Sequence, residues 1–372
     1  MMNQITISQP IIIYTTIGIG LSVVVFVAYM YRAWIREKLL RTTTEPSVDI
    51  NRQISAVVVS DKKYPLRDYY ILTSYNTCIS GPYDSGVVSI QNLRNALYMG
   101  FRCLDFEIFA DPKTNNPIVS CSTKLQDNEY PIQTGEPMLF SDVMYYITTY
   151  AFVSYGASNF TDPLILNLRI KSNNPKLPSA LAQVFTSYSK YMVDKRYNIN
   201  TIDNFGTVTI SNIMNRISVF VDSISDNYLK SSQFMQFVNM STKSKWYSIK
   251  PWSDYPQTNY KPETAAKYTN PEITMVVPDM NTIDPPNPDV SKFHSKGCQM
   301  VGLMIKEPHD AGFTDSFKFF DTNHKSFVLK PPELRYPDTS YIEKSCPPPY
   351  NFNAKGIAVP DNISSNGIKF SI

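Results

Sequence analysis

Asp105 and Glu107 stand two positions apart in the run FRCLDFEIF, residues 101–109, and a strand there would point both carboxylates to one face. Asn76 closes an earlier strand-like run, YYILTSYN, and a third apolar run, Ile118-Val119, ends in Ser120-Cys121-Ser122. An amide oxygen and two carboxylates meeting at strand ends would make an oxygen-rich site for a hard cation such as Ca²⁺. Such a pair also occurs on strands as ordinary hydrogen-bonded polar groups, so the residue types leave both uses open. Imidazole chemistry is scarce. The three histidines, His294, His309 and His324, all lie late in the chain and read as surface or loop residues. The five cysteines, Cys78, Cys103, Cys121, Cys298 and Cys346, lack metal-ligand spacing, and three fall in or beside strand-like runs, which reads as buried reduced thiols.

The elements that must position these groups alternate. Strand-like runs appear near 69–75, 102–108, 117–121, 163–169, 216–222, 272–278, 298–304 and 325–330, with helix-like stretches at 89–99, 139–152 and 177–194. Eight strands interleaved with helical segments suit an α/β chain folded as a (β/α)₈ TIM barrel, and about 300 residues suffice for one. Periodicity alone leaves a doubly wound sheet open.

The strings LTSYNTCISG, ALYMGFRCLDFEIF and NPIVSCSTKL resemble the X half of the phosphatidylinositol-specific phospholipase C family. GCQMVGLMIKEP and FVLKPPELRY are similar to its Y half, and ITMVVPDMNTIDPPNPD matches a further Y-half stretch in frame. The resemblance implies a distorted TIM barrel, with an X-like half at 65–223, a variable linker at 224–270 and a Y-like half at 271–336. It also implies which positions would carry chemistry. Tyr75 and Cys121 occupy the two family histidine positions. Asn76, Asp105 and Glu107 fall on calcium-ligand positions, the two acids with their lengths exchanged, and Arg169 in DPLILNLRI replaces a third acidic ligand. Phe220 and Asp222 stand where the family has phosphate-binding lysines, and Met275 and Val277 where it has an Arg and a Tyr that contact the substrate.

In the family reaction an inositol hydroxyl attacks its own phosphodiester. That reaction needs an acid–base pair, worth about 10²–10⁴-fold for each positioned group, and a cation. With imidazole absent from both positions, the resemblance leaves no residue in a catalytic role. It leaves no metal site either, since Arg169 would pair with Asp105 and Glu107 in the cation's place. No cofactor is expected; Ca²⁺ enters only if the chain is an active, divergent phosphodiesterase.

Residues 1–31 carry no charged side chain, and Ile11 to Met30 form an almost unbroken apolar run of roughly bilayer-spanning length. Arg32, Arg36, Lys38 and Arg41 follow it, so positive-inside logic puts the C-terminal portion on the cytoplasmic side of a single-pass anchor. Residues 32–64 read as a basic flank and stalk, and 337–372, rich in Pro, Asn and Ser, as an extended tail on the barrel or a partner. A net charge of +3 gives no electrostatic case for nucleic acid. A charged fraction of only 18 % beside abundant Tyr and Phe suits contact with other proteins. The sequons at Asn159, Asn239 and Asn362 are expected by chance in an Asn-rich chain. Three functions follow for comparison: an inactive barrel with a structural or protein-binding role, an active divergent phosphodiesterase, and a lipid-headgroup binding module. The AT-rich style of the composition, with a short anchor on a reused fold, suits a large DNA virus, where the protein would link an internal membrane to the capsid as a minor virion component.

Overall fold

Runs rich in Ile, Val and Leu form eight strands: β1 (Tyr69–Ser74), β2 (Cys103–Ala110), β3 (Leu164–Ile170), β4 (Ile217–Ser223), β5 (Val238–Ser241), β6 (Tyr247–Pro251), β7 (Ile273–Val277) and β8 (Met300–Leu303). They pair in parallel in the order β6-β7-β8-β1-β2-β3-β4-β5, a nearly closed barrel with no ladder between β5 and β6. β1 and β3 are buried along their whole length, as parallel strands covered on both faces must be. The computed structural model describes residues 20–31, 54–58, 60–122, 130–132, 135–254, 271–279, 282–305 and 310–336, with the backbone of Ile363–Ser365 and Ile368–Phe370.

Helix α1 (20–31) precedes the barrel, and the barrel is covered by α2 (Ile90–Tyr98), α3 (Phe140–Tyr150), α4 (Leu177–Ser187), α5 (Ser232–Met235), α6 (Ser291–His294) and α7 (Ala311–Asn323). The crossover α2 has clear ends. Ser89 Oγ caps it by accepting from Gln91 N, and Gly100, at φ +86°, turns the chain straight into β2. Beneath that turn Arg102 is fully buried and donates to Asn159 Oδ1 and the Ala151 carbonyl, holding the α3–β3 connection to the base of the barrel.

Four sequence expectations need correction. The runs at 117–121 and 325–330 are not barrel strands. Pro117–Ser120 folds back antiparallel on β2, and Phe327–Leu329 pairs antiparallel with β1. The places they leave are taken by β5 and β6, which lie in the stretch read as a linker. These are four- and five-residue strands, too short for a period to stand out beside the Ser, Lys and Tyr around them. The stalk is also shorter than 32–64. Ile54 and Val57 are buried at the barrel's N-terminal end, where Val57 N donates to Asp162 Oδ1 and Ser55 N to the His324 carbonyl. The fourth correction is His294. It is 5 % exposed, stacked on Tyr70 at 4.2 Å and against Phe319 at 4.7 Å, because α6 turns this side chain inward beneath α7. His324 is exposed as expected, and His309 lies outside the described residues.

Among the described residues no helix is long and apolar enough to cross a membrane. Residues 11–19 of the expected span lie outside that set, and the described part, α1, is a helix with every residue exposed. The sequons Asn159 and Asn239 are buried and hydrogen-bonded, which closes both to a glycan. Residues 336–372 form a separate unit in which Ile363–Ser365 pairs antiparallel with Ile368–Phe370; the rest of the expected tail lies outside the described residues.

His294 has neither ring nitrogen hydrogen-bonded, and burial pushes its pKa down to about 3 from an ordinary 6.5. The folded state therefore keeps it neutral while the unfolded chain protonates, so its contribution is whole above pH 6.5 and drains away as pH falls towards 3. Urea midpoints should show the parent losing about 1.4 kcal/mol per pH unit more than His294→Phe between about pH 6 and 4. Parallel pH profiles would overturn this.

Candidate functional site

Strand register sets the site. Asp105 lies opposite Asn167 and Glu107 opposite Arg169 across β2 and β3, while Asn167 and Arg169 face Phe220 and Asp222 across to β4. The alternation of strand side chains brings Asp105 and Glu107 to one face, and the parallel neighbour supplies Asn167 and Arg169 to the same face. Asn76 follows β1 in the left-handed region at φ +46°, a conformation Asn tolerates better than most residues. That turn lets its N–H meet Asp105 Oδ2 at 3.0 Å while its side chain reaches Arg169.

The guanidinium of Arg169 sits inside a cage of oxygens. Nε donates to Asp105 Oδ1 at 2.9 Å, one terminal nitrogen to Asp105 Oδ2 and Asn76 Oδ1 at 2.7 Å each, and the other to Glu107 Oε1 at 2.7 Å. The remaining acceptor capacity is also engaged. Asn167 Nδ2 donates to Asp105 Oδ1 at 2.7 Å, and the Ser122 N–H to Glu107 Oε2 at 2.7 Å. Burial works against the charge on Arg169, but the carboxylates of Asp105 and Glu107 hold its pKa well above the ordinary guanidinium value. Both acids and the arginine are at most 4 % exposed, so this is a buried ion triad with every partner satisfied.

The oxygens a Ca²⁺ ion would need are therefore the ones Arg169 holds, and the residues present do not fit that ion. Among the described residues no group of three or more His, Cys, Asp or Glu could hold a metal.

Tyr75 and Cys121 line the same site in protonated form. The Tyr75 ring lies 4.3 Å from the Arg169 guanidinium carbon and edge-on to Tyr83. Burial drives the Tyr75 phenol well above its usual range despite Arg169, and burial followed by the Glu107 charge does the same for the Cys121 thiol. Cys121 Sγ accepts from Asn76 Nδ2 at 3.3 Å. Neither group is a base at ordinary pH. The cavity left beside Tyr75, Tyr83, Glu107, Tyr130, Arg169 and Lys171 is about 30 Å³. Ligand pockets run to roughly 300–1,000 Å³, and about 30 Å³ is one water's share of liquid.

The other marked positions are part of the filling. Phe220 is fully buried, 5.2 Å from the Tyr247 ring and 6.0 Å from Phe205. Met275 Sδ accepts from Asn167 Nδ2 at 3.3 Å, and Val277 is buried on the same strand. Asp222 stands apart on β4, accepting from Thr242 Oγ1 at 2.8 Å. Sequence reasoning missed Asn167, Tyr83, Tyr130 and Gly302. A Cβ at 302 would approach Tyr75 Cβ to 3.0 Å, so the glycine on β8 leaves the room that the Tyr75 side chain occupies.

A family profile, Phosphatidylinositol-specific phospholipase C, X domain, matches residues 62–235. The human 1-phosphatidylinositol 4,5-bisphosphate phosphodiesterase zeta-1 is 23 % identical over 344 residues, covering 78 % of this chain and 54 % of that protein. The chain thus spans about half the length of such curated relatives. Crystal structures of PLC21 from S. officinalis and L. pealei superpose with TM-scores of 0.58 and 0.56 at 20 % and 18 % identity; they cover 79 % and 75 % of this chain and 40 % and 38 % of theirs. The barrel and the X-half match define a phospholipase C-like protein. The chain is a divergent member of the phosphatidylinositol-specific phospholipase C family.

Removing the guanidinium strands two buried carboxylates. Arg169→Met should cost about 3–5 kcal/mol in urea unfolding. Arg169→Glu re-creates an acidic ligand set, so added Ca²⁺ should raise its melting temperature while leaving the parent's unchanged. A parent stabilised by Ca²⁺ would overturn the reading of the cage.

Proposed function

We propose that this protein is a catalytically inactive phospholipase C-like barrel, tethered to a bilayer through residues 11–30 and serving as a structural or protein-binding component. The observation that carries the reading is the Arg169 cage, closed over by Tyr75 and Tyr83 so that about 30 Å³ remains where a substrate would enter. Loss of imidazole at Tyr75 and Cys121 supports it further, since a buried neutral phenol and thiol replace the acid–base pair. The one described buried histidine, His294, packs against Tyr70 and Phe319 and does not line this cavity.

Two features support the tether. The 1–31 segment lacks charge and is followed by Arg32, Arg36, Lys38 and Arg41. The Leu21, Val24, Phe26 and Tyr29 side chains of α1 are 62–68 % exposed, an apolar surface with no protein cover. Positive-inside logic puts the barrel on the cytoplasmic side or its equivalent at an internal membrane. Partners would meet the barrel surface and the C-terminal tail, and the composition supports a virion setting in which the chain joins an inner membrane to the shell.

Phosphoinositide hydrolysis by the full-length chain in detergent, with and without Ca²⁺, is the deciding assay. The parent should show no turnover, and Tyr75→His/Cys121→His, if folded, at most a trace. Robust parental turnover abolished by Asp105→Ala would make the protein an active divergent phosphodiesterase. Deleting residues 1–31 should move the protein from the membrane fraction to the soluble one, and recovery from host membranes without any virion association would sink the capsid role.

A further inference from the structure

A polar cavity lies beside the closed site and shares Tyr130 and Lys171 with its lining. It measures about 670 Å³ and opens between the turn after β2 and the loop that joins β3 to α4. Lys171, Lys176, Asn115, Asn173, Asn174 and Tyr130 carry its polar lining, and no carboxylate is among its lining residues. Asp111, next to it in sequence, has turned its carboxylate onto its own turn, accepting from the backbone of Lys113 and Thr114.

Lys171 is the central group. Its ammonium lies 4.2 Å from the centre of the Tyr130 ring, and among the described residues no carboxylate comes within ion-pair distance of it. The acids in its vicinity are committed elsewhere: Glu107 to Arg169 and the Ser122 N–H, and Asp222 to the Thr242 hydroxyl. Burial lowers its pKa against the opposing pull of the Glu107 and Asp222 charges. Lys176 adds a second cation at the N-cap of α4, an eleven-residue helix with no acidic residue in its first turn and no side-chain cap hydrogen bond.

The loop that carries these cations is pinned. Asn174 Nδ2 donates to Asn115 Oδ1 at 2.8 Å, Asn174 Oδ1 accepts from Lys176 N at 2.9 Å, and the Asn173 carbonyl accepts from Asn227 Nδ2 at 2.9 Å. Because Asn115 uses its oxygen in this way, the group it has left to offer a ligand is the Nδ2 donor. Cations and amide donors without an acid describe an acceptor-rich, negatively charged ligand, and the volume suits a small organic molecule.

We propose that this rim pocket is an anion site that binds a phosphate group, with Lys171 and Lys176 as its two charges. The site stands independently of the inactive reading, since turnover would overturn that reading and leave this one intact. The phosphate could belong to a soluble monoester or to a lipid headgroup, and the experiment has an arm for each.

Calorimetric titration of the full-length chain in nonionic detergent with inorganic phosphate and glycerol 1-phosphate should show saturable one-to-one binding, weakened by added salt. Lys171→Met and Lys176→Met should each weaken it about tenfold, the loss expected for one charge-assisted hydrogen bond. Lys171→Arg should retain binding. Exposed Lys176 is a safe position for folding, so its variant decides the matter if Lys171→Met unfolds. Mixed micelles containing phosphatidylinositol phosphate form the second arm. Lysine-dependent binding there, with none to the soluble esters, assigns the phosphate to a lipid headgroup. No saturable binding in either arm, or binding unchanged in Lys176→Met and any folded Lys171→Met, overturns the proposal.

Discussion

A guanidinium held between two carboxylates in a buried barrel interior is the constraint on which the upper half of this structure rests. Taking three charges out of water costs several kcal/mol per ion, and only close pairing with full hydrogen bonding offsets it. Here the offset is complete. Arg169 reaches Asp105 twice, Glu107 once and Asn76 once, and the outer oxygens of the acids are met by Asn167 and by the Ser122 N–H. These groups come from β2, β3, the turn after β1 and the end of the Pro117–Ser120 strand, so one side chain ties four segments together. The group that joins them is a side chain of the protein itself and cannot leave.

Permanence of that kind changes how the barrel mouth packs. With the cation position filled from within, large rings can pack down on it: Tyr75 over the guanidinium, Tyr83 against Tyr75, and Phe220 against Tyr247 one layer below. Each ring removes water and strengthens the pairing beneath it, because charge interactions grow as the local dielectric falls. The packing and the ion triad are therefore mutually dependent, and the about 30 Å³ that remains is the residue of that joint filling. Gly302 belongs to the same adjustment, since the space it leaves is the space Tyr75 needs.

Much of this was legible from the chain. Parallel strands buried on both faces announce themselves as apolar runs, which is why β1, β2, β3, β4, β7 and β8 and the helices α2 and α3 stand out at nearly their observed bounds, while the helical stretch expected over 177–194 ends as α4 at Ser187. The i and i+2 spacing of Asp105 and Glu107 determined that they share a face, and the residue types alone determined that Arg169 cannot ligate a cation and that Tyr75 and Cys121 cannot act as imidazoles. Tertiary structure decided the rest, for reasons of distance along the chain. Short β5 and β6 take barrel places by pairing with distant strands, whereas the more strand-like 117–121 and 325–330 fold back as antiparallel additions. The inward turn of His294 depends on α7 closing over α6, and the partners of Arg169 depend on a parallel register between strands some sixty residues apart. Local sequence sets which groups exist and which face they share; only the packed barrel sets which of them touch.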